Sequence, residues 1–286
     1  MYCELFGYSK QAYYKQGINK ATVDFNEHQA KQAVLLIRRQ MPRIGTRKLH
    51  YMLKEDLSKQ ELNIGRDKLF TILRKEGLLI KKKRNYTITT NSRHWMRTYP
   101  NLIKDLVLTR PEQLWVSDIT YLDTKDENAY LHLVTDAYSK QVMGYELCNN
   151  MEASSTLKAL QMALKNRKYD GALIHHSDRG SQFCSKLYTD VLKKNSIQIS
   201  MTENGDPYEN AVAERMNGIL KDEFGLGEQL ESLADAYYQT KQGINIYNTQ
   251  RPHLSCEMLT PKQMHSQQSI KLKKWNKKTS NILMNV

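Results

Sequence analysis

Three acidic residues in this chain have the types and settings that metal binding requires. Asp118 lies inside a predicted strand, "WVSDITY", and Asp178 follows a second predicted strand, in "IHHSDRGSQF". Glu214 lies in the middle of a predicted helix, "ENAVAERMNGILKDEF", and 35 residues separate it from Asp178. If the fold brings the three carboxylates together, they repel one another unless cations neutralise their charge.

The chemistry that such a cluster supports is phosphoryl transfer on a nucleic-acid backbone. Hard carboxylate oxygens bind Mg²⁺, with Mn²⁺ as a substitute, and two ions about 3.5–4 Å apart stabilise the attacking and leaving oxygens. Taken singly, each acid is explained equally well as a helix cap or a solvated carboxylate. The cluster hypothesis therefore depends on the elements that position the three residues.

The helix around Glu214 has one polar stripe and a broad apolar face. At about 100° per residue, the stripe contains Asn210, Glu214, Asn217 and Lys221. The other side is apolar: Val212, Ala213, Met216, Ile219, Leu220 and Phe224. The stripe is either a solvated face or part of a site. In a site, Lys221 would reach a phosphate, and the two asparagines would position DNA or orient Glu214.

From residue 114 the hydrophobic period changes from helical to extended. Three strands joined by short turns predict an antiparallel meander: "LWVSDITYLD", "AYLHLVTDAYS" and "QVMGYELCN". A helix, a buried strand "GALIHHS", a second helix, a strand "IQISM" and the helix of Glu214 follow. This order predicts an α/β fold of the ribonuclease H-like class, a five-stranded mixed sheet with helices on both faces. In that topology the first and fourth strands are neighbours, which would bring Asp118 and Asp178 together.

Basic residues are concentrated at the start of the 286-residue chain, whose net charge is +13. Residues 1–105 hold 22 basic and 9 acidic residues, whereas residues 106–286 hold 21 of each. The last sixteen residues contain five lysines and no acid, so the segment between is acidic. A basic front, an acidic middle and a basic tail are typical of a polyanion-binding protein with a cation-binding domain.

Residues 21–84 predict three short helices of a helix-turn-helix or winged-helix module, with an ordinary basic three-helix bundle as the alternative. The expected DNA-contacting cations lie on its third helix and in the run behind it: Arg66, Lys68, Arg74, Lys75, Lys81, Lys82, Lys83 and Arg84. His176 beside Asp178, and Arg251 in "YNTQRPH", are further candidate DNA contacts. The predicted organisation is a helical segment 1–20, the module 21–84, a basic linker 85–105, a catalytic core 106–270 and a basic tail 271–286.

The cysteine pattern and hydropathy indicate a cytoplasmic protein. The four cysteines, Cys3, Cys148, Cys184 and Cys256, are far apart, so they predict neither a zinc site nor a disulfide framework. The longest purely apolar runs have about five residues, such as "AVLLI", which is far short of a membrane span. No membrane partner is therefore expected.

The motifs together resemble the DDE transposases of the insertion-sequence-three family, within the retroviral integrase superfamily. "WVSDITY", "HSDRGSQF", "ENAVAERMNGILKDE" and "YNTQRPH" with "LTP" match the four core motifs of that family in order. "IGTRKLH" and "NIGRDKLFTILRKEGLL" match its helix-turn-helix module, so the resemblance covers nearly the whole chain. One departure is Cys256, where the family often has leucine, and we interpret it as a packing variant.

The resemblance implies that Asp118, Asp178 and Glu214 are the ligands of two Mg²⁺ ions, for which Mn²⁺ can substitute. The implied activity is DNA strand cleavage and strand transfer at the ends of an insertion sequence. The implied partners are double-stranded DNA (terminal inverted repeats and target), further copies of the chain in a homodimer or higher oligomer on DNA, and a product of an upstream reading frame. The opening "MYCELFGYSKQAYY" is similar to the start of the family's second frame, so an upstream helix-turn-helix and leucine zipper would be missing.

Two other functions remain as alternatives. A stand-alone ribonuclease H-like nuclease or resolvase would share the acids but lack the basic front module and "YNTQRPH". A non-catalytic DNA-binding regulator would use residues 21–84 alone and would leave the three acids without a role.

Overall fold

Two compact units make up the chain. The computed structural model describes residues 7, 9–81, 96–203 and 210–267, and within those ranges no helix is long and apolar enough to cross a membrane. The first unit contains residues 1–86 together with 219–225, and the second contains residues 87–218 and 226–286. The predicted basic tail, 271–286, lies outside the described residues, as do residues 85–95 of the predicted linker.

The first unit is built on three helices, as the apolar spacing predicted: α1 (Lys10–Arg38), α2 (Thr46–Lys59) and α3 (Arg66–Lys75). Its buried side chains include Val34, Leu49 and Leu73. The first helix differs from the prediction because it continues through residue 20, where the sequence predicted a boundary. These 29 positions contain one glycine, Gly17, and no proline, and one glycine destabilises a helix by only about 1 kcal/mol.

The second unit contains the predicted five-stranded mixed sheet. Its strands are β1 (Leu114–Leu122), β2 (Ala129–Asp136), β3 (Val142–Cys148), β4 (Ile174–Ser177) and β5 (Gln198–Met201). The spatial order is β3-β2-β1-β4-β5. Strand β2 is antiparallel to both of its neighbours, β1 and β3, and β4 and β5 continue the sheet in parallel with β1. The order confirms the ribonuclease H-like fold class, with β1 and β4 as central neighbours.

Helices cover both faces of this sheet. They are α4 (Ala153–Asn166), α5 (Ser181–Cys184), α6 (Lys186–Lys194), α7 (Ala211–Glu223), α8 (Leu233–Thr249) and α9 (Pro261–His265), with a 3₁₀ turn at Leu254–Cys256. Successive residues of β1 point to opposite faces. Trp115 packs in a core with Leu160 of α4 and Tyr188 of α6, whereas Val116 packs with Ala213 of α7.

The sheet approaches α4 very closely at Gly144 of β3. A β-carbon built at this position would lie 2.1 Å from the carbonyl oxygen of Ala159 and 2.6 Å from the amide nitrogen of Ala163. Real side chains do not reach such distances, so the missing side chain of Gly144 sets the separation between β3 and α4.

A buried cluster of charged groups attaches α9 to the sheet. His265 Nε2 lies 3.1 Å from Glu112 Oε1, and His265 Nδ1 lies 3.0 Å from the hydroxyl of Ser139, which donates to Asp136 at 2.6 Å. All four side chains are fully buried. Burial opposes a charge on His265, but its interactions with Asp136 and Glu112 outweigh burial and raise its pKa above the ordinary value of 6.5. The imidazolium therefore compensates two buried carboxylates.

The raised pKa of His265 predicts a specific pH dependence of stability. A group whose pKa is higher in the folded state stabilises the fold fully below its unfolded pKa, and that contribution is lost as pH rises through the folded pKa. We expect His265→Gln, which keeps some hydrogen bonding but no charge, to be less stable than the parent by about 3 kcal/mol near pH 6. The difference in free energy of unfolding, measured by urea titration from about pH 6 to about pH 9, should shrink as pH rises. A pH-independent difference would contradict a charged His265.

Candidate active site

Parallel pairing of β1 with β4 brings Asp118 and Asp178 side by side. Val116 is paired with His176, and each acid lies two residues beyond its member of that pair. Neighbouring strands are about 4.8 Å apart, and both acids line one groove at this end of the sheet. The structure therefore unites two of the three acids that the sequence singled out.

Hydrogen bonds orient both carboxylates. Asp118 accepts from the backbone N–H of Ile119 at 2.9 Å and from the side-chain amide of Asn217 at 2.7 Å. Asp178 accepts from the backbone N–H of Gly180 at 2.9 Å, in the turn that leads into α5. Each acid thus has a defined orientation that its own local backbone helps to maintain.

The pKa of Asp118 is influenced by the charges of the other two acids. Burial raises the pKa of this carboxyl, the negative charge of Asp178 raises it further, and the charge of Glu214 adds to both. The hydrogen bonds from Ile119 and Asn217 oppose these effects, and the resulting pKa is about 7. Burial is the largest cause, but the contributions of Asp178 and Glu214 show that two further carboxylates act on Asp118, and a cation would be stabilised where such charges meet.

Glu214 contributes to the site through its charge. It lies on an exposed part of α7, and within the described part of the chain no three His, Cys, Asp or Glu side chains are placed to hold one metal ion together. Three carboxylates at ligand distance repel one another unless cations neutralise their charge. The oxygens of Asp118 and Asp178, and the charge concentrated there, nevertheless fit a hard divalent cation.

The two asparagines of the polar stripe have a different role from the predicted DNA contacts. Asn210 donates to the carbonyl of Ser117 at 3.2 Å, and Asn217 donates to Asp118. Their exposed fractions are only 6% and 8%. They therefore connect the segment of α7 to β1, and Asn217 orients Asp118. The sequence places both amides on one stripe, but it does not show that the stripe faces β1.

Two further predicted DNA contacts are corrected by burial. His176 is fully buried and its Nδ1 lies 2.8 Å from the hydroxyl of Ser200, because β4 is a central strand covered on both faces. Arg251 is 1% exposed, and its guanidinium lies 5.5 Å from the ring centroid of Tyr247. Neither side chain is exposed at the surface in this structure, so neither is placed for a direct contact with DNA.

The predicted DNA-contacting cations of the first unit are on its surface, and several have acidic partners. The described members are all exposed: Arg66, Lys68, Arg74, Lys75 and Lys81. Glu27 of α1 accepts hydrogen bonds from both Lys68 and Lys75, a contact that the sequence did not predict because α1 and α3 are distant in the chain. Exposed ion pairs contribute about 0–1 kcal/mol, so phosphates can compete for these lysines. Lys82, Lys83 and Arg84 lie outside the described residues.

Comparison with protein-family models places the groove inside a known domain. A model described as the integrase core domain matches residues 109–207, and a second model with the same description matches residues 195–261. The two matches contain Asp118, Asp178 and Glu214. A solved structure of the HTLV-2 integrase catalytic core domain in complex with magnesium is 20% identical, with a TM-score of 0.45, and the match covers 55% of this chain and 97% of that one.

Three relatives match long parts of the chain. A 31 kDa protein of insertion element IS600 from Shigella sonnei is 32% identical over 263 residues, which are 91% of this chain and 95% of the relative. The transposase for insertion sequence element IS629 from Shigella sonnei is 32% identical over 208 residues, 72% of this chain and 68% of the relative. The transposase InsF for insertion sequence IS3A from Escherichia coli (strain K12) is 35% identical over 196 residues, 68% of either chain. The chain belongs to this IS3 family of insertion-sequence transposases, DDE enzymes of the retroviral integrase superfamily.

Proposed function

We propose that this transposase cleaves DNA strands at the ends of an insertion sequence and joins them to target DNA in a reaction that requires divalent metal. The observation that carries the proposal is the parallel pairing of β1 with β4, which places Asp118 and Asp178 in one groove at the end of those strands. A site with this much negative charge is suited to cations and to the phosphodiester that they accompany.

Asp118, Asp178 and Glu214 are the proposed ligands of two Mg²⁺ ions, with Mn²⁺ as a substitute. The metal, when bound, would supply Lewis-acid stabilisation of the oxygens at the reacting phosphorus. Asn217 keeps the carboxylate of Asp118 in one orientation, and Gly180 does the same for Asp178. A carboxylate that is oriented in advance loses little freedom when it binds a cation, which favours tight binding.

DNA binding is proposed to rest on the exposed cations of the first unit and on the basic run after it. The described members that present positive charge at the surface include Arg66, Arg74 and Lys81, and residues 82–84 would extend this set. The proposed partners are terminal inverted repeats, target DNA and further copies of the chain in a homodimer or higher oligomer, with an upstream-frame product as a possible addition. The proposed location is the cytoplasm, where bacterial DNA is accessible.

A strand-transfer assay tests the proposed function. The full chain is incubated with Mg²⁺, a labelled oligonucleotide that carries the terminal repeat of its own element, and a target duplex. We expect a nick at the repeat and a joined product with the target. Cleavage without joining would favour a nuclease, and specific binding without either reaction would favour a regulator.

Lys221 is expected to position DNA rather than to act on the metal. It is half-buried on α7, seven residues beyond Glu214, which is about 10 Å along the helix axis. That distance excludes direct ligation but allows contact with a phosphate near the scissile bond. We therefore expect Lys221→Ala to slow cleavage and joining about 10–100-fold, or about 1.4–2.8 kcal/mol, with a nearly unchanged Mg²⁺ requirement.

Mg²⁺ titrations of cleavage by the parent, Lys221→Ala and Lys221→Arg measure this effect. The arginine variant should recover only part of the activity, because a planar guanidinium replaces a compact ammonium group. A large rise in the Mg²⁺ requirement would place Lys221 at the metal site instead, and full activity of the alanine variant would make it an ordinary surface lysine.

A further inference from the structure

The groove that contains Asp118 and Asp178 also contains an aromatic surface. Tyr121 of β1 and Tyr130 of β2 are directly paired across the antiparallel strands, and their ring centroids lie 5.9 Å apart at an angle of 61°. Both rings line the groove, together with Met151 from the segment that precedes α4. The groove thus contains two carboxylates and three polarisable side chains, Tyr121, Tyr130 and Met151.

These side chains are held in place, yet they remain partly open to solvent. The hydroxyl of Tyr121 lies 3.2 Å from Asp123 Oδ1 and 3.1 Å from Asn128 Oδ1, which fixes the ring against the β1–β2 turn. Both tyrosines are half-buried, and Met151 is 38% exposed. An anchored ring and an exposed thioether form a surface that can take up a flat apolar partner.

The charges in the groove indicate which part of a nucleotide would occupy it. Among the residues that the structure describes, its charged lining residues are the two aspartates, and no lysine or arginine is part of the lining. A phosphate needs cations, so it would be held only with metal at the aspartates. The neutral aromatic part instead matches a nucleobase, since every base has a π-face that stacks on tyrosine.

We infer that Tyr121, Tyr130 and Met151 form a nucleoside subsite for the base next to the phosphodiester that reacts at Asp118 and Asp178. The inference rests on the proposed function, because that function places a phosphodiester at the two acids. The phosphate and the base of one nucleotide are covalently linked, so a bound phosphate carries a neighbouring base into the same groove. That base belongs either to the element end or to the target. Both DNAs would present a base that stacks on tyrosine in the same way.

Photo-crosslinking detects a nucleobase in the subsite and does not depend on catalytic activity. 5-Iododeoxyuridine is placed at the first or second position on either side of the scissile phosphate, in the element end and, separately, in the target duplex. The full chain is irradiated with each DNA, and adducts are located by mass spectrometry. We expect adducts on Tyr121, Tyr130 or Met151, and the duplex that gives them identifies the source. Adducts found only outside the groove in both duplexes would overturn the inference.

Variants of Tyr121 distinguish the contribution of its ring to activity from that of its hydroxyl. Tyr121→Ala is expected to lower kcat/KM for strand transfer about tenfold, whereas Tyr121→Phe, which keeps the ring but loses the contacts of the hydroxyl with Asp123 and Asn128, should lose clearly less. Tyr238→Ala removes a tyrosine that is 63% exposed on α8 and outside the groove, and it should have no effect. If Tyr121→Ala melts at a lower temperature than the parent, Met151→Ala provides the same test at an exposed side chain.

The outcomes distinguish this inference from the proposed function. Absence of cleavage and joining by the parent protein would remove the proposed function, while crosslinks in the groove would still show a base there. Normal cleavage with equal rates for Tyr121→Ala, Met151→Ala and the parent would refute the subsite and leave the proposed function intact.

Discussion

Asp178→Asn is expected to abolish strand cleavage while leaving the binding of element ends nearly intact. The change removes one negative charge and one proposed metal ligand, and the loss of several kcal/mol of transition-state stabilisation corresponds to about a thousandfold or more in rate. The fold should survive, because the asparagine side-chain oxygen can still accept the hydrogen bond that Gly180 donates to Asp178 at 2.9 Å. Binding should persist, because DNA affinity is proposed to rest on the first unit and the basic run after it.

Gel-shift and cleavage assays on one preparation measure both properties. Asp190→Asn is a matched control, because Asp190 is an exposed acid of α6 whose nearest cation is Lys193 at 3.9 Å, and the same charge is removed away from the groove. The control should cleave and bind as the parent does. Equal loss of binding and cleavage in Asp178→Asn would contradict the proposal that the first unit provides DNA affinity and the second provides catalysis.

Gly144→Ala should be the most destabilising glycine-to-alanine substitution at the glycines of the second unit whose surroundings the structure describes. The new methyl group would meet backbone atoms of Ala159 and Ala163 on α4 at 2.1 and 2.6 Å, so the helix must move away from the sheet. Backbone cannot rotate out of the way as a side-chain end can, and overpacking of this kind destabilises by about 3 kcal/mol. A domain of this size should then melt about 6–12 °C lower.

Gly218→Ala is the matched control for that measurement. A β-carbon at Gly218 of α7 meets nothing within 4 Å, and alanine is favoured over glycine in a helix interior by about 0.5–1 kcal/mol. Thermal unfolding of both variants should therefore give changes of opposite sign. A neutral Gly144→Ala would mean that β3 and α4 are separated more widely than the structure has them.

The elements of the second unit were predictable because their hydrophobic patterns are strong and local. The alternation in β1 to β3 and the short buried runs of β4 and β5 gave the order of elements, and that order predicted the ribonuclease H-like topology in which β1 and β4 are neighbours. Those predictions of fold and family are confirmed. The roles of Asp118, Asp178 and Glu214 stay predictions, although the first two do lie in one groove.

The sequence could not show which residues that are distant in the chain contact one another in the fold. A stripe of polar residues on α7 indicates a special face, but only the packed helix reveals that Asn217 donates to Asp118. Likewise, His176 and Arg251 have the chemistry of DNA contacts and are excluded by burial alone. Burial depends on what covers a residue, and the covering elements are remote in the chain.

The cluster of Glu112, Asp136 and His265 has a consequence for how this chain can evolve. Replacement of the histidine by a neutral residue would remove the positive charge that contacts both buried carboxylates, and breaking a buried ion pair in this way destabilises by about 3–5 kcal/mol. Replacement of all three by apolar residues of similar volume can be neutral or even stabilising. We therefore expect the residues at these three positions to change together during evolution, although the positions are spread over more than half the chain. Lineages are expected to keep the whole charged set or to lose it together, with few intermediates between the two states.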